Sequence, residues 1–146
     1  MQINRLTPDL AVGPQITETD LATIAALGFR SIIGNRPEGE APDQPPFASL
    51  AAAAERQGLR NRHIPVVASQ INSQDIERFR EALRDLPKPI FAFCRTGTRS
   101  TILWALAISE TLTADERIRM AAAHGYDIGG LRSSLEAADQ GAAGHA

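Results

Sequence analysis

The segment Cys94–Ser100 reads Cys-Arg-Thr-Gly-Thr-Arg-Ser, and it combines a nucleophile with groups that bind anions. Gly97 can adopt a positive φ, which lets neighbouring backbone N–H groups converge on one point. Arg99 offers a planar fork of donors to an oxyanion, and Ser100 could hydrogen-bond the sulfur. Because these groups stabilise a thiolate, this segment, called the cysteine loop below, predicts a reactive Cys94 in an anion-binding cradle. The other loop residues expected to contact substrate are Arg95, Thr96, Gly97 and Thr98.

The residues around the loop favour this interpretation over a structural cysteine buried in an arginine-flanked turn. Before the loop, Pro89–Phe93 is apolar without alternation, which is typical of a strand buried on both faces of a parallel sheet. After it, Ser100–Glu110 is apolar nearly all round, as in a covered helix that holds Trp104 in the core. The loop would therefore lie at the carboxyl end of a strand and at a helix N-terminus, where ligands bind in such sheets.

A second polar loop, Asn35–Glu40, follows another predicted strand and should open on the same edge of the sheet. Arg36 could bind a substrate carboxylate or sulfonate, and Glu38 or Glu40 could orient Arg99 or serve as an acid. An exposed charged loop without a role is the equal alternative. The residues of this loop that we expect to contact substrate are Asn35, Arg36 and Glu38.

Strands alternate with helices along the chain, which predicts an α/β domain with a mainly parallel sheet flanked by helices. The predicted strands cover residues 10–12 (an edge strand), 29–33, 62–67 and 89–93. The predicted helices cover residues 21–27, 47–57, 73–86, 100–110 and 114–124, with a last helix around 131–135. No repeat or linker divides the sequence, so residues 1–139 are expected to form one domain, followed by a frayed Gly/Ala-rich tail over 140–146.

The composition excludes several classes of protein. Fifteen basic and seventeen acidic residues give 146 residues a net charge of −2, which argues against a nucleic-acid partner. No apolar stretch reaches the roughly 18 residues that cross a bilayer, and the first residues lack the apolar core of a signal peptide. A single cysteine fits a reducing cytoplasm. The three histidines are scattered without ligand spacing, so no metal or other cofactor is expected.

Five segments resemble a known family in their order along the chain. They are Leu10–Ile16, Asn35–Glu40, Ile64–Val66, the cysteine loop and Gly125–Ile128. The family is that of the beta-lactamase-hydrolase-like proteins, phosphatase-like domain, and the resemblance covers roughly residues 3 to 136. It implies a protein-tyrosine-phosphatase-like fold, close to the dual-specificity phosphatases. Members of that family occur alone or joined to persulfide dioxygenases and sulfide-oxidising enzymes, so the resemblance also implies sulfur chemistry.

Two features depart from the pattern of the phosphatases that the resemblance implies. Those enzymes space cysteine and arginine as Cys-x5-Arg, whereas only four residues separate Cys94 from Arg99 here, as in rhodanese loops. Dual-specificity phosphatases also place an Asp just after the strand that precedes the long helix. Here Val66–Asn72 contains no carboxylate, and Asp75 is expected to interact with the dipole of the next helix. Loss of a general acid typically slows a reaction by about 10²–10⁴-fold.

These departures favour a cytoplasmic sulfurtransferase of the rhodanese type, with a persulfide on Cys94. The chain has no second cysteine, so sulfur would pass to an external acceptor such as glutathione, sulfite or a partner enzyme of sulfide oxidation. The first alternative is a cysteine-dependent phosphatase that forms a phosphocysteine. The second is a non-catalytic module that binds phosphorylated or other anionic ligands. All three interpretations use Cys94–Ser100 as the anion site and require no cofactor.

Overall fold

The computed structural model describes residues 1–108 and 111–144, which form a five-stranded sheet with strand order β1-β2-β5-β3-β4. The strands are β1 (Asn4–Thr7), β2 (Leu10–Gly13), β3 (Ser31–Gly34), β4 (Arg60–His63) and β5 (Ile90–Phe93). Strand β1 pairs antiparallel with β2, and all other neighbours are parallel. The mainly parallel sheet flanked by helices confirms the predicted fold class.

Helices cover both faces of this sheet. They are α1 (Asp20–Ala26), α2 (Phe47–Arg56), α3 (Ser73–Asp85), α4 (Thr98–Ala107), α5 (Ala114–Ala122) and α6 (Arg132–Gly144). Helix α4 begins two positions before the predicted start at Ser100, and the last predicted positions, 109–110, lie outside the described residues. Helix α6 extends to Gly144 and so includes most of the segment that the sequence predicted to be frayed. Among the described residues, no helix has the length and apolarity needed to cross a membrane.

The two strand predictions at the sheet edges need correction. Residues 10–12 are not an edge strand, because Asn4–Thr7 adds β1 outside them with Asn4 opposite Val12. The strand predicted over 62–67 is instead Arg60–His63, with Pro65 beyond its end. The N–H of Ile64 still donates to the carbonyl of Gly34, the last residue of β3, and that of Val66 donates to the carbonyl of Asn35. Pro65 between them has no N–H to donate.

Two apolar clusters, one on each face, bury the central strand β5 completely. Ile90 and Ala92 belong to the cluster that includes the buried faces of α3, α4 and α5. Phe91 and Phe93 belong to the cluster that includes α1 and α2. Every residue of β5 is therefore apolar and buried, which explains the absence of alternation in its sequence and fixes the position of the residue that follows it.

Capping boxes stabilise the N-termini of two helices. Asn72 and Asp75 exchange side-chain and backbone hydrogen bonds at the start of α3, and Thr113 and Glu116 do the same at α5. Asp75 also accepts a hydrogen bond of 2.8 Å from Arg78. Its carboxylate thus serves the helix start, as the sequence predicted.

Candidate active site

Cys94 follows β5 directly and lies at the carboxyl edge of the sheet, completely buried. Its N–H donates to the carbonyl of Gly13 at 3.4 Å, which ties the residue to the end of β2. Its Sγ accepts a hydrogen bond of 3.0 Å from the backbone N–H of Gly97. The sulfur therefore faces the N-terminus of α4, where backbone N–H groups and the helix dipole favour a negative charge.

Gly97 turns the cysteine loop with φ of 99°, a conformation in which a residue with a side chain is strained. A Cβ built there would lie only 2.2 Å from the hydroxyl oxygen of Tyr126. That hydroxyl donates to the carbonyl of Thr96 at 3.0 Å and accepts from Asn4 Nδ2 at 3.0 Å. Burial raises the pKa of Tyr126, so the phenol stays a donor. The conformation of the loop thus depends on Tyr126 and Asn4, which lie far from it in the sequence.

Tyr126 and Asn4 are functional positions that the sequence reasoning missed. Tyr126 belongs to Gly125–Ile128, one of the five family-like segments, but no role followed from its residue types. One signal could have indicated a role: Tyr126 is the only tyrosine of the sequence, and it follows Gly125, which ends a helix. Its partner at position 4 lies 122 positions away, so sequence spacing could not connect them.

Ser100 and Asn35 form a buried pair behind the loop. Ser100 Oγ donates to Asn35 Oδ1 at 2.8 Å, and Asn35 Nδ2 donates to the carbonyl of Ile64 at 2.9 Å. Both residues are fully buried. The prediction that Ser100 hydrogen-bonds the sulfur is therefore wrong for this conformation, because its single proton is used by Asn35. Asn35 thereby holds helix α4 to the loop after β3, and its predicted contact with substrate stays a prediction.

Arg99 is held by Glu40 through two hydrogen bonds, of 2.7 and 2.8 Å, from its two terminal nitrogens. One of these nitrogens also donates to the carbonyl of Val66 at 3.1 Å. The hydrogen bond with Glu40 is the main reason that the pKa of Arg99 is raised, and the nearby sulfur of Cys94 contributes. In turn, the hydrogen bond from Arg99 lowers the pKa of Glu40 to about 2. Glu40 is therefore ionised near neutral pH and is a poor general acid in this conformation.

The two glutamates of the second loop have different roles. Glu38 Oε1 accepts from the N–H of Phe47 at 2.8 Å and so stabilises the start of α2. It forms no ion pair with Arg99, and its predicted contact with substrate stays a prediction. Glu40 instead orients Arg99 and also accepts from Arg36 Nε at 3.0 Å. A single carboxylate thus joins the cysteine loop to the second loop.

An open pocket lies beside the cysteine loop where the two loops meet. Its lining consists of Arg36, Glu40, Ala41, Arg95 and Arg99. Arg95 and Thr96 are exposed, Thr98 is half-buried, and the hydroxyl groups of the two threonines lie 3.1 Å apart. The structure therefore brings Cys94, Arg99, Arg95 and Arg36 to one edge of the sheet, and it places Asn35, Ser100 and Glu38 in supporting positions.

The segment after β4 offers no acid to this pocket. Ala68–Gln70 forms an exposed 3₁₀ turn without a carboxylate, and Asp75 is committed to the start of α3. Within residues 1–108 and 111–144, no three His, Cys, Asp or Glu side chains come together in a way that could hold a metal ion. The groups that could do chemistry here are therefore the buried thiol of Cys94 beside the pocket and the backbone N–H and guanidinium groups that stabilise anions.

Comparisons of the sequence with a family model and with curated proteins both identify the same family. The family described as beta-lactamase hydrolase-like protein, phosphatase-like domain, matches residues 2–111. The beta-lactamase hydrolase-like protein of Xylella fastidiosa (strain 9a5c) is 35% identical over 138 residues, which cover 93% of this chain and 32% of the relative. The chain spans about a third of the length of the curated relatives it matches.

Solved structures share the fold. A crystal structure from Neisseria meningitidis Z2491, provisionally described as a phosphatase (nma1982), has a TM-score of 0.85 and 38% identity, and covers 94% of this chain and 99% of its own. The crystal structure of PTPMT1 has a TM-score of 0.78 at 13% identity, over 99% of this chain and 98% of its own. The fold is therefore of the protein-tyrosine-phosphatase type.

Proposed function

The chain belongs to the family described as beta-lactamase hydrolase-like protein, phosphatase-like domain, and we propose that it is a cysteine-dependent phosphatase that forms a phosphocysteine on Cys94. The observation that carries the proposal is Cys94 Sγ at the start of α4, 3.0 Å from the N–H of Gly97, with Arg99 beside it. The similarity to a protein described as a phosphatase, at 38% identity, supports the same reaction class. No comparison supports the rhodanese-type sulfurtransferase that the short loop predicts.

The proposed reaction has two steps at one sulfur. The Cys94 thiolate attacks phosphorus, the S–P bond forms, and the leaving oxygen departs with the electron pair of the broken P–O bond. Water then breaks the S–P bond, which releases inorganic phosphate and restores the thiolate. In both steps the phosphoryl oxygens carry negative charge that the loop N–H groups and the Arg99 fork stabilise.

Arg99 must change partners during this reaction. In the structure its two terminal nitrogens bind the carboxylate oxygens of Glu40 at 2.7 and 2.8 Å. A phosphoryl group offers the same pair of acceptors, so it would replace the carboxylate with little change in hydrogen-bond geometry. Glu40 thus keeps the fork aligned before substrate arrives, and we expect its main effect on binding rather than on the chemical step.

The absence of a carboxylate after β4 restricts the leaving group. Without a proton donor, an alkoxide leaves slowly, whereas an oxygen that is stable as an anion leaves without help. Aryl phosphates are therefore suitable probes of the basic reaction, and simple alkyl phosphates should be turned over far more slowly.

The test measures phosphate release from 4-nitrophenyl phosphate by the wild type, Cys94→Ser and Arg99→Lys. We expect Cys94→Ser to lose about 10³-fold or more of the turnover. Arg99→Lys keeps the charge but not the fork, and should lose about 10²–10³-fold. A rapid acid quench followed by intact mass should show one phosphoryl group on the wild type only.

Two outcomes would contradict the proposal. The first is full turnover by Cys94→Ser, because the nucleophile would then lie elsewhere. The second is no phosphate release together with one cyanide-removable sulfur gained from glutathione persulfide on the wild type alone. That result would restore the sulfurtransferase interpretation.

A further inference from the structure

The pocket beside the cysteine loop carries more positive charge than one phosphoryl group needs. Its lining contains three guanidinium groups, those of Arg36, Arg95 and Arg99, against the single carboxylate of Glu40. Arg99 adjoins the sulfur and is the group available to the reacting phosphoryl. Arg36 and Arg95 remain, and both face the same open space from different loops. A ligand that fills the pocket therefore meets a second anion-binding position.

Arg95 is the group most available to such a ligand. It is exposed, and within the described part of the chain no carboxylate lies within ion-pair distance of it. Arg36 is almost fully buried, with its Nε on Glu40 and one terminal nitrogen on Gln15 Oε1 at 3.3 Å. Its orientation is thus fixed, whereas the side chain of Arg95 is free to close over a bound anion.

The rest of the lining does not suit an aromatic substrate. Apart from the charged residues it contains only Ala41, so no ring or large apolar side chain would pack against a phenyl group. The apolar contacts that would select a phosphotyrosine side chain are therefore missing from this pocket. A small, highly charged molecule fits the lining better than an aryl ester in a peptide.

The missing acid points to the same class of ligand. Since no carboxylate protonates the leaving oxygen, the best substrate is one whose leaving group is itself a stable anion. A phosphoanhydride meets this condition, because the departing phosphate spreads the new charge over its oxygens. It also places that second phosphate next to the reacting one, where Arg95 and Arg36 lie.

From these observations, and resting on the proposed phosphatase activity, we infer that the substrate is a small molecule with a terminal diphosphate group. The Cys94 thiolate attacks the terminal phosphorus, and the bond from phosphorus to the bridging oxygen breaks. The electron pair stays on that oxygen, so the second phosphate leaves as an anion held by Arg95 and Arg36. Water then hydrolyses the S–P bond and releases the first phosphate.

Binding to the Cys94→Ser protein tests the second position without depending on turnover. Methylenediphosphonate, a diphosphate analogue with a carbon bridge, and methylphosphonate are titrated by calorimetry at one ionic strength. We expect the diphosphonate to bind about tenfold or more tightly, as one added charge-assisted contact predicts. Arg95→Ala on the same background should reduce this preference to about twofold. Arg30→Ala is the control, since it removes one exposed arginine from the opposite end of the sheet and should leave the preference intact.

Turnover provides the second measurement. Phosphate release is followed from inorganic diphosphate and from 4-nitrophenyl phosphate, which has a good leaving group but no second anion. Arg95→Ala should raise the KM for diphosphate about tenfold more than the KM for the aryl ester.

The inference is overturned if the two phosphonates bind with equal affinity, or if Arg30→Ala removes as much preference as Arg95→Ala. A tight preference for diphosphonate in a protein that releases no phosphate would keep the second anion position and reject the phosphatase. Turnover of the aryl ester with no preference for diphosphonate would keep the phosphatase activity and reject the second anion-binding position.

Discussion

Replacing Glu40 by Gln removes the charge that joins Arg99 and Arg36 but keeps the size of the side chain. In the wild type, this carboxylate accepts two hydrogen bonds from Arg99, at 2.7 and 2.8 Å, and one from Arg36 at 3.0 Å. The neutral amide has one acceptor oxygen and would place N–H donors against a guanidinium group. We therefore expect Glu40→Gln to be less stable than the wild type near neutral pH.

The size and sign of the effect follow from the pKa of Glu40, which falls from 4.5 to about 2. At about 1.36 kcal/mol for each pH unit, this decrease corresponds to about 3.4 kcal/mol. Solvent reaches part of the carboxylate, since 29% of the side chain is exposed, so screening reduces the expected stabilisation to about 1–2 kcal/mol. A lowered pKa stabilises the fold above pH 4.5, and this stabilisation is lost as the pH falls through 2. At pH 3, about two fifths of it should remain.

The assay is urea unfolding of wild type and Glu40→Gln at pH 7 and pH 3. The difference in unfolding free energy should shrink by more than half between these two conditions. Glu18→Gln changes an exposed glutamate without an ion pair in the described part of the chain, and serves as the control for lost charge. An equal difference at both pH values, or none at pH 7, would refute the role given to Glu40.

Three further substitutions test other contacts of the site and the core. Ser100→Ala leaves a buried amide oxygen without its donor, and thermal unfolding should show a loss of about 1–3 kcal/mol. Gly97→Ala should destabilise the protein more than Gly28→Ala. Both glycines have a positive φ, but only at Gly97 would the added methyl group meet Tyr126. Similar losses of unfolding free energy in chemical denaturation would contradict this expectation. Arg117→Ala removes a fully buried guanidinium that bonds two carbonyls and a carboxylate, and should lower the unfolding free energy by about 3 kcal/mol in urea.

The elements that position Cys94 were predictable because their signals are local. The apolar run Pro89–Phe93 identifies a strand buried on both faces, and Cys94 follows it directly. The capping boxes at Asn72 and Thr113 span only four positions each, so residue types alone indicate two helix starts. Strand β1 was missed because Asn4–Thr7 is short and only two of its four residues are buried.

The contacts inside the site were not predictable from the sequence. Ser100 meets Asn35 across 65 positions, and Tyr126 meets Thr96 across 30. Spacing reports only neighbours on one helix or strand, so it gives no information about such pairs. The choice of Glu40 rather than Glu38 as the partner of Arg99 depends on the path of the second loop, which residue types do not specify.

The contact between Tyr126 and Gly97 sets a minimum length for a working fragment. Residues 2–111, the part that matches the family, include all five strands and the whole cysteine loop. A protein shortened to this part would lose Tyr126. It would therefore lose the hydroxyl that donates to the carbonyl of Thr96 and the side chain that packs against Gly97. Its sheet would still hold Cys94 at the end of β5, but the loop N–H groups would no longer be kept in place around the sulfur. A fragment limited to the matched residues would therefore lack one of the groups that fix the conformation of the cysteine loop.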